Sequence, residues 1–200
     1  MHAELLPAEH FKRMRWLNGA GWTREICREP PMSETFDWRA SIAEIDGDAA
    51  FSPFPGYQRH QILLRGNGFL LHFDDDMASL EPPHGQHRYA GDMPVSARLI
   101  DGPVHAFNLI WRPQAVSVRV LHRPLVGATL FFPEPGVEWV IYLIAGRARL
   151  RRRETDIPME AGDALRLSIA AGESSDAGRC VLDGNGEALV VRIQREARHS

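Results

Sequence analysis

Residues 89–112, YAGDMPVSARLIDGPVHAFNLIWR, hold the key to the fold. Two alternating apolar runs, residues 95–100 and 104–111, flank Asp101-Gly102-Pro103. An Asp-Gly pair between such runs predicts two adjacent antiparallel strands. Polar residues stand inside both runs: Arg98 between Ala97 and Leu99, and Asn108 between Phe107 and Leu109. A charge or an amide in mid-strand costs free energy unless something pairs with it, so both positions are candidates for a binding pocket.

The same punctuation extends outward in both directions. Residues 36–45, 59–64 and 69–73 read as strands on the N-terminal side. On the C-terminal side the strand candidates are residues 115–121, 125–132, 139–144, 148–152, 179–183 and 188–193. Residues 5–16 fit a short helix or an extended arm, residues 51–57 are too rich in proline for a central strand, and residues 74–87 read as a polar loop. No stretch shows helical periodicity, and many short strands with Gly, Pro and Asp between them predict an all-β sandwich or barrel. The order strand, Gly, strand, Gly-Asp occurs twice, with Gly66 and Gly91-Asp92 in one half and Gly146 and Gly162-Asp163 in the other. That is the pattern of a cupin-type jelly roll. The expectation is a bicupin: two jelly-roll β-barrels packed in one compact unit, with little helix. Residues 1–112 would form the N-terminal cupin-like half with an N-terminal arm, and residues 113–200 the C-terminal half.

Composition narrows the partners. The chain has 23 basic and 26 acidic residues for a net charge of −3, which gives no general attraction to nucleic acid or to an anionic membrane. Residues 1–9 lack an apolar h-region and no run is long enough to cross a bilayer, so a cytoplasmic location is expected. The two cysteines, Cys27 and Cys180, are far apart and expected to be reduced packing residues. The sequence leaves a homodimer open.

The search for chemistry favours binding over catalysis. Cupins often hold a metal through a His-x-His pair, a Glu and a later His, but no His-x-His occurs here. His60 and His72 stand alone, and His84 and His87 sit in a loop, so no metal and no cofactor are assigned. Gly19 and Gly21 match neither a phosphate loop nor a dinucleotide fingerprint. Cys27 and Cys180 lack a local His, and Ser41 lacks an elbow motif, so no catalytic residue is assigned. The arginines are more informative. Arg39, Arg59 and Arg98 each fall in or at the start of a strand in apolar surroundings, and a guanidinium fork matches a carboxylate. Period-two geometry puts Arg39 and Ser41 on one face. The predicted ligand site is Asn18, Arg39, Ser41, Arg59, His72, Arg98 and Asn108 around a small anion. The competing reading pairs each arginine internally with Glu25, Glu44, Asp92 or Asp101.

Several strings resemble one family. WLNGAGWTREI at residues 16–26 is similar to W-K-N-G-G-G-x-T-x-E-I, WRASIA at 38–43 to W-R-x-S-x-A, and FSPFPGYQR at 51–59 to F-S-x-F-P-G-x-x-R. Gly91-Asp92, Asp101-Gly102-Pro103-Val104 and Phe107-Asn108-Leu109 resemble G-D, D-G-P-V and F-N-L/V-M. By these motifs, dense in the first half and sparse in the second, the chain resembles the HutD/Ves family of bicupins. Leu17 stands where the family has Lys, Ala20 replaces its middle Gly, and Ala106 replaces an acidic residue. The resemblance implies a regulatory or auxiliary role linked to histidine utilisation. It also implies a ligand of the urocanate, formylglutamate or formiminoglutamate class. Two other function classes compete with this binder: a metal-independent cupin enzyme, isomerase or hydrolase, using His60 or His72 as acid/base, and a protein-interaction module presenting strand edges.

Overall fold

The computed structural model describes residues 2–132, 134–152, 155–169 and 179–196. Sixteen strands and one three-residue 3-10 turn, Ala8–His10, make up the regular structure of these residues. No helix among them is long and apolar enough to cross a membrane. The chain divides into two compact units. One comprises Phe11–Ala115, the other the described residues of Met1–His10 and Val116–Ser200.

In the unit Phe11–Ala115 a six-stranded antiparallel sheet runs β2 (Lys12–Arg15), β3 (Gly21–Glu29), β4 (Trp38–Ile45), β11 (Val104–Trp111), β6 (Gln58–Arg65), β9 (Gln86–Ala90). A four-stranded sheet runs β5 (Ala49–Ala50), β10 (Ser96–Leu99), β7 (Phe69–His72), β8 (Met77–Leu80). Phe69, Leu71, Leu80 and Ala97 of the smaller sheet share a core with Ala43, Leu63 and Ala106 of the larger one. This is the two-layer packing of a jelly roll.

The Asp101-Gly102-Pro103 turn does not join two neighbours. β10 pairs with β5 and β7, whereas β11 pairs with β4 and β6, so the chain changes sheets at this turn. The physical reason lies in Pro103. A two-residue hairpin needs the residue after Gly to donate its backbone N–H across the turn, and proline has none. Of the two expectations for the N-terminal segment, the extended arm is the one found: it forms β1 (His2–Leu6), the 3-10 turn and β2. β1 pairs with β15 (Ala164–Ser168), which places it with the C-terminal unit, and the division falls between Ala115 and Val116. The expected polar loop at 74–87 contains β8 and the start of β9.

In the C-terminal unit three strands of sixteen residues dominate: β12 (Val116–Phe131), β13 (Val137–Arg152) and β16 (Cys180–Arg195). The sheet order is β1, β15, β13, β16, β12, with β14 (Thr155–Glu160) on β13. Leu125, Ile141, Leu143, Leu165, Leu182 and Val190 lie in its core. Among the described residues none of the three sheets closes on itself, so these are open-edged jelly rolls and not closed barrels.

Where the sequence reads two strands, 139–144 and 148–152, on either side of Gly146, a single strand runs through. Gly146 sits opposite Gly186, both have positive φ (85° and 129°), and the register shifts beside them between Leu143 and Ala145. The two backbones approach so closely that a Cβ on Gly186 would stand 1.9 Å from the Ala145 carbonyl oxygen. The pair therefore bends the sheet without ending the strand. Gly186→Ala is expected to cost roughly 2–3 kcal/mol and to lower the melting temperature by roughly 5–10 °C, measured by calorimetry. An unchanged melting temperature would show that the bend tolerates a side chain.

Candidate functional site

The register of β4, β11 and β6 arranges their inward side chains in rows, because directly opposed residues share a face. Ala43, Ala106 and Leu63 form an apolar row that belongs to the core. Ser41, Asn108 and Gln61 form the next row. Arg39, Ile110 and Arg59 form the third. Thus the inner face of one sheet grades from hydrocarbon through amides and a hydroxyl to guanidinium groups.

Over the polar end lies a cavity of about 370 Å³. Arg39, Arg59 and Asn108 line it from the sheet, Trp16, Leu17 and Asn18 from the β2–β3 turn, and Phe51 and Phe54 from the proline-rich loop. Its size is that of a small-molecule site. The lining includes three arginines (Arg15, Arg39 and Arg59) and no acidic residue.

Arg59 is only 6% exposed, and its Nε donates to Asn108 Oδ1 at 2.9 Å. Its guanidinium lies 4.5 Å from the Phe51 ring centroid and 5.7 Å from that of Tyr89. Arg39 lies between Phe36 and Phe54, at 5.1 and 5.2 Å, and its buried Nε has no hydrogen-bond partner among the described residues. Neither arginine forms an ion pair among these residues. Three of the four carboxylates offered by the competing reading are engaged elsewhere, Asp101 Oδ2 accepting from Asn67 Nδ2 at 3.1 Å. Glu25 accepts from Arg28 Nε at 2.8 Å, and Glu44 accepts from Arg13 at 2.7 and 3.1 Å.

Electrostatics follow from burial. Loss of water pulls the Arg39 guanidinium down to about 10, with Glu25 opposing and the charges of Arg28 and Arg59 assisting. Burial likewise lowers Arg59. It pushes the Tyr89 phenol up to about 12 against the pull of Arg59, so the phenol stays a neutral donor to Gln61 Oε1 at 3.2 Å. At about 10, the Arg39 guanidinium is still charged at neutral pH, since a base holds its proton below its pKa. Anion-dependent stabilisation is therefore expected to stay level from about pH 6 to 9 and to fall as pH rises through about 10. Thermal shifts at fixed ligand concentration across that range test it. Loss near pH 7 would implicate another group.

Four of the predicted residues, Asn18, Arg39, Arg59 and Asn108, meet at this cavity. Ser41 is fully buried behind it, where Asn108 Nδ2 lies 3.5 Å from the Ser41 hydroxyl, which itself reaches the Asn108 carbonyl at 3.3 Å. Asn18 shapes the rim more than the floor: Oδ1 accepts from Ala20 N–H and Nδ2 donates to the Ala50 carbonyl. Arg98 and His72 are not among the lining residues. Arg98 is exposed on β10, and His72 alternates with the buried Leu71 on β7, so strand geometry points both away from the shared core. His60 likewise falls between Arg59 and Gln61 on β6 and faces the other side of that sheet. A metal does not fit this cavity, whose described lining offers guanidiniums and amides but no imidazole or carboxylate. Sequence reasoning missed Arg15, Trp16, Phe51 and Phe54. The aromatic residues stood in plain view inside the motif strings at 16–26 and 51–59.

Residues 8–190 match the HutD family. The chain belongs to the HutD family. A Pseudomonas putida protein named for the hutC 3′ region is 38% identical over 196 residues, covering 96% of this chain and 92% of that one. Protein Ves of Citrobacter koseri is 40% identical over 129 residues, 63% of this chain and 66% of Ves. The solved HutD of Pseudomonas fluorescens SBW25 (formate condition) superposes with a TM-score of 0.81 at 28% identity, covering 98% of this chain and all of that one. Against the HutD strings, Leu17 is the departure that matters at the site. It lines the cavity yet is fully exposed, so at this position the mouth carries hydrocarbon in place of a fourth cation.

Proposed function

We propose that this HutD-family protein is a cytoplasmic, non-catalytic receptor for a small carboxylate metabolite that serves histidine utilisation. The carrying observation is the pair Arg39 and Arg59: a half-buried and a buried cation in one cavity, with no carboxylate of the described residues paired to either. Buried charge without a counter-ion is costly, and an anionic ligand supplies the missing partner bidentately. The hutC-region name of the Pseudomonas putida relative supports the pathway. The aromatic walls favour a planar or short-chain acid such as urocanate, formylglutamate or formiminoglutamate. The described lining offers guanidiniums and amides but no imidazole or carboxylate, which favours holding a ligand over transferring its protons.

Calorimetric titration and thermal shift with urocanate, formylglutamate, formiminoglutamate and glutamate test this reading, with the corresponding amides as controls. At least one acid is expected to bind saturably and to be recovered unchanged by NMR, while its amide does not bind. Arg98→Ala should leave that binding intact, because Arg98 lies outside the cavity. Equal response to acids and amides would remove the receptor reading, and conversion of the acid would make the protein an enzyme.

A further inference from the structure

The C-terminal unit holds a second cavity, of about 470 Å³, with a different chemistry. Its walls are Leu121, Leu125 and Phe131 of β12, Trp139 of β13 and Val190 of β16. Two exposed apolar side chains, Leu130 and Phe132, also line it, and exposed hydrocarbon at the mouth of a cavity marks a binding surface. Two polar groups in this apolar setting lack protein partners among the described residues. Trp139 Nε1 is buried with no hydrogen bond, which costs roughly 1–3 kcal/mol if left so. The indole is held by an edge-to-face contact with Phe131 at 5.5 Å and by Arg192, 5.9 Å from its ring. Arg123, also in the lining and exposed, makes no ion pair among the described residues. Arg192, by contrast, is engaged with Glu134 at 3.2 Å and Gln194 at 2.8 Å.

The register separates the two free groups. Trp139 pairs with Arg192, and Arg192 with Arg119; Arg123 stands four residues farther along β12. Four residues of strand span about 13 Å, and the two strand spacings from β13 across β16 to β12 add about 10 Å sideways, so the two Cα atoms lie roughly 16 Å apart. One small polar ligand cannot reach both groups, but an elongated apolar one can. We propose that this cavity is a second small-molecule site, for an elongated aromatic carboxylate whose anionic end meets Arg123 and whose far end presents an acceptor to Trp139 Nε1. The flat walls of Trp139 and Phe131 suit a fused or conjugated ring, and the apolar lining disfavours the short polar acids suited to the first cavity.

The probe is 6-hydroxy-2-naphthoate, which carries a carboxylate and a hydroxyl at opposite ends of a two-ring body. Binding is measured by calorimetry on the full chain and on Arg59→Met, which silences the N-terminal cavity. One saturable site is expected in both. Trp139→Phe keeps an aromatic ring against Phe131 and removes the N–H, and should weaken binding about tenfold. Arg123→Gln, a surface change that leaves the fold alone, should weaken it about tenfold as well, and 2-naphthol should bind like the probe does to that variant. Binding lost in Arg59→Met would place the probe in the first cavity and overturn the proposal. So would affinity unchanged in both Trp139→Phe and Arg123→Gln, or the absence of binding. Sedimentation of Leu130→Ser and Phe132→Ser gives a further arm. If the wild type self-associates, these variants do not, and the probe fails to compete, the apolar rim serves a second copy of the chain and the small-molecule site is excluded.

Discussion

Arg59→Met is expected to lower carboxylate affinity by about two to three orders of magnitude while the free protein melts no lower than the wild type. The two halves of this expectation come from the same burial. Arg59 is 6% exposed, and its Nε donates to the neutral Asn108 side chain. Removing it deletes a desolvated charge and keeps an unbranched apolar chain against Phe51 and Tyr89. It leaves Asn108 Oδ1 without its donor, at a cost of roughly 1–3 kcal/mol that offsets the gain. A structural arginine behaves differently, since breaking a buried pair costs roughly 3–5 kcal/mol. Titration calorimetry and melting curves on one preparation separate the cases. A variant that both binds and melts like the wild type would mean the cavity is idle. One that melts far lower would mean Arg59 is scaffolding.

How much of this was legible follows from what period two can and cannot say. Arg39 and Asn108 were visible because each interrupts an apolar run, and Arg59 because it opens a strand; both signals are local. Arg98 gives the same local signal and stands elsewhere. Alternation separates the two faces of a strand without saying which face is inward or which sheet the strand joins. The Asp-Gly signal invited the error, and Pro103 held the correction, because a proline after Gly cannot close a hairpin. Gly146 misled in a similar way: a glycine opposite another glycine bends a long strand, and opposition is a tertiary fact. Gln61 was within reach, two residues from Arg59 on the same face. The lack of carboxylate partners for Arg39 and Arg59 was not, because it depends on where Glu44 finds Arg13, thirty-one residues away. Phe51 and Phe54 sit in a loop without periodicity, and only the fold reveals that they cover the arginines.

The site's logic can be inverted by a single isosteric change. Asn108→Asp puts a carboxylate where Arg59 Nε already donates at 2.9 Å, and so supplies from within the chain the anion that the cavity otherwise takes from solution. Ser41 can help by turning its one O–H from the Asn108 carbonyl, 3.3 Å away, to an oxygen in place of the amide nitrogen at 3.5 Å. The new group pays its own desolvation, but the guanidinium it meets is already stripped of water, and attraction at that distance in a dry setting is strong. The expected outcome is a melting temperature higher by about 2–6 °C at pH 7, with affinity for the carboxylate ligand down by about a hundredfold or more. The stability gain carries a sign that can be checked. A carboxylate beside a buried cation has a depressed pKa in the folded state, so its contribution is present above the unfolded value of about 4 and is lost as pH falls through the folded one. Melting curves of the variant and the wild type should therefore converge in acid. If Asn108→Asp instead binds the ligand as well as the wild type does, Arg59 is not the group that receives it, and the anion belongs to Arg39 alone.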